Sequence, residues 1–167
     1  MPLPQATDHL RFREMTGSDL DDMAALLGDP DVMRFYAAPK SREEALRWIE
    51  WNQRNYAVHG FGLWVMETHD NEFVGDCGLT FQEVDGSQKL EIGYHVRSTM
   101  QGNGWATEAA AACRDFAREY VRSAELIAIT HPDNKASQRV AEKIGMHRSD
   151  EDRGGSNAIR TIFTMAL

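Results

Sequence analysis

Several features that mark particular protein classes are scarce or missing in this sequence of 167 residues. It has two cysteines, too few for a disulfide framework, so we expect both thiols to be reduced and buried in a cytoplasmic protein. No apolar run reaches the length of a membrane span, and no signal peptide is recognisable. Six histidines are present, but none has a partner at zinc-ligand spacing, so we predict no metal.

Basic side chains are outnumbered by acidic ones. The sequence has 18 Lys and Arg against 26 Asp and Glu, which gives a net charge of −8. We therefore expect no nucleic acid as partner, whereas an amine-bearing substrate is compatible with this charge. Because no apolar run has membrane length, we expect no membrane as partner either. The length fits one domain, residues 1–167, and leaves both a monomer and a homodimer open.

Two common phosphate-binding loops are also missing. No Gly-x-x-x-x-Gly-Lys run followed by Ser or Thr occurs, which excludes a Walker loop. The dinucleotide fingerprint Gly-x-Gly-x-x-Gly fails because Thr107 occupies the position of its third glycine.

What is present is a strand, a glycine-containing turn and a helix in succession. Residues 90–96 alternate apolar and polar side chains, as a half-buried strand does. From Trp105 onward, apolar residues recur every three or four positions, as on one face of a helix. Between them lies the glycine turn, residues 101–106, where free backbone N–H groups at the start of a helix can hold an anion such as a phosphate. The alternative is a plain strand-to-helix turn in which the glycines serve only the backbone geometry.

The rest of the sequence predicts further strands and helices. Apolar patterns predict strands at residues 10–13, 61–66, 73–81, 126–129 and 159–165. Helical spacing predicts helices after Ser18, after Ser41 and after Asn134. Three consecutive strands are joined by two short links, and the second link is a turn at residues 84–88. This order indicates an antiparallel meander.

Two motifs resemble those of one enzyme family. Gln101-x-x-Gly104-x-Ala106 resembles the Gln/Arg-x-x-Gly-x-Gly/Ala motif of the GNAT N-acetyltransferase superfamily. Asn134-x-x-Ser137, followed by Glu-Lys-Ile-Gly-Met at residues 142–146, is similar to its Asn-x-x-Ser…Glu-Lys-x-Gly-Phe segment. With further matches near residues 10, 74 and 91, the sequence looks like the Rim-type branch, which contains ribosomal-protein N-alpha-acetyltransferases.

This resemblance implies a fold, a cosubstrate and its contacts. The implied fold is α/β, with a mixed, mostly antiparallel central sheet flanked by helices. The implied cosubstrate is acetyl-CoA, with its pyrophosphate on the backbone amides of the glycine turn. The residues predicted to bind acetyl-CoA are Tyr94, Val96, Gln101, Gly102, Asn103, Gly104, Trp105, Ala106, Thr107, Asn134 and Ser137.

The same resemblance suggests catalytic positions. Glu91 lies on the strand against which family members hold acetyl-CoA, so its carboxylate is the candidate base; a solvated strand residue is the alternative. His95, on the same strand, is a further candidate base; a hydrogen-bonded structural residue is the alternative. Ser137 is the candidate hydrogen-bond donor to the CoA thiolate, or else only a residue of the first helical turn. The tyrosine that many members use as the acid is replaced by Ala141, and the tryptophan that usually starts the loop in this branch is replaced by Gln101.

The predicted function is acetyl transfer from acetyl-CoA to a primary amine. A protein N-terminus is the leading acceptor, and a small amine or antibiotic is the alternative. A non-catalytic CoA-binding regulatory module is a third reading. Phe35 and Trp48 are predicted to bind the acceptor, with core packing as the alternative for both.

Overall fold

A computed structural model describes residues 2–149 and 160–167. In chain order the strands and α-helices are β1 (Leu10–Arg13), α1 (Leu20–Leu27), α2 (Arg42–His59), β2 (Leu63–Thr68), β3 (Phe73–Val84), β4 (Ser87–Val96), α3 (Trp105–Tyr120), β5 (Glu125–Thr130), α4 (Lys135–Lys143), β6 (His147–Arg148) and β7 (Thr161–Ala166). Single 3-10 turns at Gly17–Asp19 and Ser98–Met100 precede α1 and follow β4.

The strands form one sheet in the order β1-β2-β3-β4-β5-β7-β6. All neighbouring strands are antiparallel except β4 and β5, which are parallel. The predicted α/β fold with a mostly antiparallel sheet is confirmed, and so is the predicted meander, which consists of β2, β3 and β4. The two-residue strand β6 has no counterpart among the predicted strands.

Helices cover both faces of the sheet. Successive residues of a strand point to opposite faces, and Asp76 and Cys77 of β3 show which helices lie on each. Asp76 accepts a hydrogen bond from Trp48 of α2, whereas the thiol of Cys77 lies 3.5 Å from that of Cys113 in α3. Both cysteines are fully buried and reduced, as predicted. None of the helices in the described ranges combines the length and the apolarity that a membrane crossing requires.

Two helices begin where the sequence predicts caps. The Ser41 hydroxyl accepts the Glu44 N–H at 3.2 Å, and the Glu44 carboxylate accepts the Ser41 N–H at 3.0 Å. This reciprocal pair satisfies two N–H groups at the start of α2. Asn134 caps α4 by accepting the Ser137 N–H at 3.1 Å.

The turn between β3 and β4 is shorter than predicted. Only Asp85 and Gly86 connect the strands, with φ values of 50° and 77°. Two residues with positive φ give a tight hairpin turn whose twist matches that of the strands. Both strands are therefore longer than the sequence suggested, and Val84 pairs directly with Ser87. In the last strand, the predicted first residue, Ile159, lies outside the described residues.

The sheet also contains a close backbone approach at Gly78 of β3. A methyl group added there would lie 2.0 Å from the carbonyl oxygen of Gly62 and 2.7 Å from Cα of Leu63. Because both neighbouring atoms belong to the backbone, no side chain can move to relieve the overlap.

We predict that Gly78→Ala lowers the free energy of unfolding by about 1–3 kcal/mol, since an added methyl group forces β2 and β3 apart. Urea unfolding measures this change. Gly17→Ala is the matched control, because a methyl group there meets no atom within 4 Å. Equal unfolding midpoints for the two variants would contradict the prediction.

Candidate active site

A cleft of about 980 Å³ opens where the two parallel strands separate. In the described residues, β4 and β5 pair at one position, Glu91 with Ile127. Beyond it, the ends of both strands line the cleft on opposite sides, with Tyr94–Val96 on one and Ile129–Thr130 on the other. The loop after α1, the glycine turn, the start of α3 and the exposed side of α4 complete its walls.

The start of α3 provides backbone N–H groups on one wall. Gly104 precedes the helix with φ 77° and offers no side-chain cap. The Glu108 N–H donates to the Gly104 carbonyl at 3.1 Å and begins the helical ladder, so the N–H groups of Trp105, Ala106 and Thr107 come before it. These three residues line the cleft. Together with the helix dipole they favour an anion at this wall.

Side chains hold the glycine turn in place. Gln101 donates from Nε2 to the Val96 carbonyl at 2.9 Å, which ties the turn to the end of β4. Asn103 donates from Nδ2 to the Met100 carbonyl at 3.1 Å and is exposed away from the cleft wall. Of the residues predicted to bind acetyl-CoA, Asn103 is therefore the one that the structure places outside the cleft lining. The lining includes the others: Tyr94, Val96, Gln101, Gly102, Gly104, Trp105, Ala106, Thr107, Asn134 and Ser137.

The cleft is basic although the protein is acidic. Among the described residues it is lined by Arg34, Arg139, Lys143 and Arg160, and by a single carboxylate, Asp31. The net charge of the sequence does not reveal these basic side chains. The four-residue spacing of Arg139 and Lys143 on a predicted helix was a signal that could have found two of them.

Three polar side chains meet where α4 faces β4. The Ser137 hydroxyl donates to the Tyr94 hydroxyl at 3.2 Å, and the Tyr94 hydroxyl donates to the Ser137 carbonyl at 2.8 Å. Burial raises the pKa of Tyr94, partly offset by the hydrogen bond from Ser137, so the phenol stays protonated. The carboxamide oxygen of Asn134 accepts the Ser137 N–H as a helix cap, and its predicted contact with acetyl-CoA stays a prediction.

Glu91 lies at the closed end of the split, outside the cleft lining. Burial raises the pKa of Glu91 to about 8, and the charge of Arg160 limits the rise. At neutral pH this carboxyl group is therefore mostly protonated. Its role as the base stays a prediction.

The two predicted acceptor residues occupy different positions. Phe35 lines the cleft and packs on the His131 ring with a centroid distance of 5.3 Å. Trp48 lies behind the wall: its Nε1 donates to Asp76 at 3.1 Å, and its ring meets the His95 ring edge-on at 5.9 Å. Trp48 is therefore not part of the cleft lining, and its role in acceptor binding stays a prediction.

His95 belongs to a chain of hydrogen bonds that ends at the cleft. Its Nδ1 lies 2.7 Å from Oδ1 of Asp76, and its Nε2 lies 2.7 Å from the Tyr36 hydroxyl. Asp76 is fully buried and His95 is 7% exposed, whereas 51% of the Tyr36 surface is exposed. His95 was a candidate from the sequence, whereas Asp76 and Tyr36 were not predicted.

Comparison with known proteins assigns this architecture. The profile of the acetyltransferase (GNAT) domain matches residues 9–147. An uncharacterised Bacillus subtilis protein, YkkB, is 42% identical over 145 residues, which cover 86% of this chain and 84% of that protein. An acetyltransferase from Agrobacterium tumefaciens has the same fold, with a TM-score of 0.85, 22% identity, and coverage of 100% of this chain and 96% of its own. The ribosomal-protein alpha-N-acetyltransferase RimL, in complex with coenzyme A, gives a TM-score of 0.79 at 16% identity, covering 98% and 97%.

The raised pKa of Glu91 predicts a pH-dependent stability. The folded state keeps a proton on Glu91 between pH 4.5 and about 8, which the unfolded state releases, so the wild type loses stability as pH rises through this window. Glu91→Gln should therefore gain stability relative to the wild type as pH increases. Urea unfolding at several pH values measures the difference. The exposed Glu142→Gln is the control, and a difference for Glu91→Gln that stays constant with pH would refute the shift.

Proposed function

This chain belongs to the acetyltransferase (GNAT) family and is an acyltransferase, and we propose that it transfers the acetyl group of acetyl-CoA to the α-amino group of a protein N-terminus. The observation that carries the proposal is the basic cleft at the start of α3, between the separated ends of β4 and β5. An anionic cosubstrate and an amine acceptor can both approach this point.

We assign the phosphates of acetyl-CoA to the wall formed by the glycine turn and α4. The N–H groups of Trp105, Ala106 and Thr107 supply donors that are not capped by any side chain in the described part of the chain. Arg139 and Lys143 lie one helical turn apart on α4 and line the same cleft. Their charges suit a ligand with several phosphates. The thioester then belongs beside the backbone of residues 94–96, at the end of β4.

Ser137 is our candidate donor to the leaving thiolate. It lines the cleft and its hydroxyl is hydrogen-bonded to the Tyr94 phenol, which burial keeps protonated. The family's usual acid position is occupied by Ala141, which is fully buried and carries no acidic group. A phenol is nevertheless present next to Ser137, because Tyr94 of β4 supplies it from the other side of the cleft.

The charge of the cleft favours a peptide N-terminus over a polyamine. A polyamine carries several cationic groups that require carboxylates, whereas the described lining offers only Asp31 beside four basic side chains. A peptide N-terminus brings one ammonium group followed by neutral backbone. The proposal includes the Rim-type branch, because this chain shares its fold with RimL. A small amine or an antibiotic is the alternative acceptor.

We expect wild-type protein to release thiol from acetyl-CoA when mixed with tripeptides that have a free N-terminus. Spermidine and an aminoglycoside represent the alternative acceptors, and the N-acetylated tripeptide is the control without an amine. Faster thiol release with spermidine or the aminoglycoside would overturn the assigned acceptor. Acetyl-CoA binding without thiol release for any amine would identify a non-catalytic CoA-binding module instead.

Gly104→Asp should weaken acetyl-CoA binding by at least about tenfold, roughly 1.4 kcal/mol, because it adds a negative charge where the phosphates are assigned. Isothermal titration calorimetry measures the affinity. Gly104→Asn is the matched control: it has the same shape and tolerates the φ of 77°, but it is neutral. Equal affinities for the two variants would show that the phosphates lie elsewhere.

A further inference from the structure

The side chains of Tyr36, His95 and Asp76 form a hydrogen-bonded triad that connects the cleft to a buried carboxylate. Tyr36 and His95 line the cleft, and Asp76 lies behind them with no exposed surface. The second oxygen of Asp76 accepts the Trp48 Nε1–H at 3.1 Å, so both carboxylate oxygens have a donor.

The contacts of the triad determine the tautomer of His95. Asp76 is an acceptor, so the Nδ1 that lies 2.7 Å from it carries the hydrogen. In the neutral ring Nε2 is then an acceptor, and it faces the Tyr36 hydroxyl at 2.7 Å. This is the order hydroxyl, imidazole, carboxylate, in which the carboxylate orients the ring and stabilises it once it is protonated.

Contacts on both sides of the cleft hold the loop that carries Tyr36. Asp29, just after α1, accepts the Ser98 hydroxyl hydrogen at 2.9 Å, which ties the loop to the end of β4. Phe35 packs on His131, just after β5. About half of the Tyr36 residue surface is exposed, and its hydroxyl oxygen lies 2.7 Å from Nε2 of His95. Burial, followed by the charge of Asp76, raises the pKa of Tyr36, so its hydroxyl stays protonated and can donate.

We propose that the Tyr36–His95–Asp76 triad deprotonates the ammonium group of the acceptor, with Tyr36 as the residue that touches it. The inference rests on the proposed function and identifies the base of that reaction. Tyr36 lines the cleft and is the most exposed member of the triad, so we assign the contact with the entering amine to its hydroxyl. Glu91, the base that the sequence predicted, lies outside the cleft lining, so Tyr36 is the candidate that an amine in the cleft can contact.

The proton transfers balance in two steps. First, the acceptor R–NH₃⁺ gives a proton to the Tyr36 oxygen while the Tyr36 hydroxyl proton moves to Nε2 of His95. The amine is then neutral, and the new imidazolium faces the Asp76 carboxylate. Next, the nitrogen lone pair attacks the thioester carbonyl, the C–S bond breaks, and its electron pair leaves on sulfur. The second nitrogen proton goes to the thiolate, by way of Ser137, and His95 returns its proton to solvent.

Other charged groups lie near the triad. Asp76 of β3 faces His95 of β4. Glu91 lies on the same face of β4 as His95, four residues earlier in the strand. Tyr94 and Glu91 both act electrostatically on Tyr36. From the α2 side, Lys40 lies 5.3 Å from the centre of the Trp48 ring. The pH profile of the wild type therefore reports the triad within this group of charges, and variants must be compared with the wild type at each pH.

Tyr36→Phe tests the proposal, because it removes the hydroxyl and keeps the ring. With the tripeptide acceptor, whose amino group has a pKa of roughly 8, kcat/KM of the variant should be at least about tenfold below wild type near pH 6.5 and should approach it above about pH 9, where the amine is already neutral. Tyr120→Phe is the matched control, since Tyr120 is 53% exposed on α3 outside the cleft lining. Parallel pH profiles for Tyr36→Phe and the wild type would overturn the proposal.

Asp76→Asn supplies a readout besides activity. Asparagine turned with its amide NH₂ toward the ring would donate to Nδ1, so His95 should switch to the Nε2-protonated tautomer, which ¹⁵N NMR of the imidazole detects in the protein alone. We expect Nδ1–H in the wild type and Nε2–H in the variant, with a loss of kcat/KM at neutral pH at least as large as that of Tyr36→Phe. Nε2–H in the wild type would refute the triad even if acetyl transfer is observed. If the wild type releases no thiol with any amine, the proposed function fails instead.

Discussion

The separation of β4 from β5 is the constraint on which the rest of the structure depends. Each strand stays paired with its outer neighbour along its length, β4 with β3 and β5 with β7. Between β4 and β5, in contrast, the described residues contain one pair, Glu91 with Ile127. Two parallel strands that part in this way leave unpaired backbone edges facing each other, and such edges are tolerated where they line a ligand site. The glycine turn, α4 and the loop after α1 all meet at this opening.

The buried Asp76 carboxylate restricts which side chains can lie beside it at the opening. A buried carboxylate is unfavourable unless it is paired and hydrogen-bonded. Here His95 and Trp48 supply those partners, so the side chains that satisfy Asp76 also fix the orientation of the imidazole toward the cleft. Apolar residues in place of Asp76, His95 and Trp48 would avoid the free-energy cost of removing the carboxylate from water. Its presence next to the cleft is therefore easier to explain by the chemistry of the site than by stability.

The sequence predicted the features that depend on local patterns. Strand alternation, helix caps and the glycine turn at residues 101–106 depend on neighbours within a few positions, and they appear where expected. The pairing of Asp76 with His95 depends on strand register. Reading Asp85 and Gly86 as a two-residue turn would have set that register and placed Asp76 opposite His95, but the turn was predicted as five residues long. No local pattern marks Tyr36, because it reaches His95 from an irregular loop 59 positions away.

The alternation of side chains along β4 places two groups of the site on opposite faces of the strand. Neighbouring residues of a strand face opposite sides of the sheet, so Tyr94 points to α4 and Ser137, while His95 points to Asp76 and the loop after α1. A proton must leave the attacking amine and another must reach the departing thiolate, and the two proposed sites for these events lie on opposite faces of one strand. A single backbone thus keeps the two proton carriers apart while holding both at the rim of the same cleft. Shifting β4 by one residue would exchange their sides, which is why the tight turn that sets its register matters for chemistry as well as for folding.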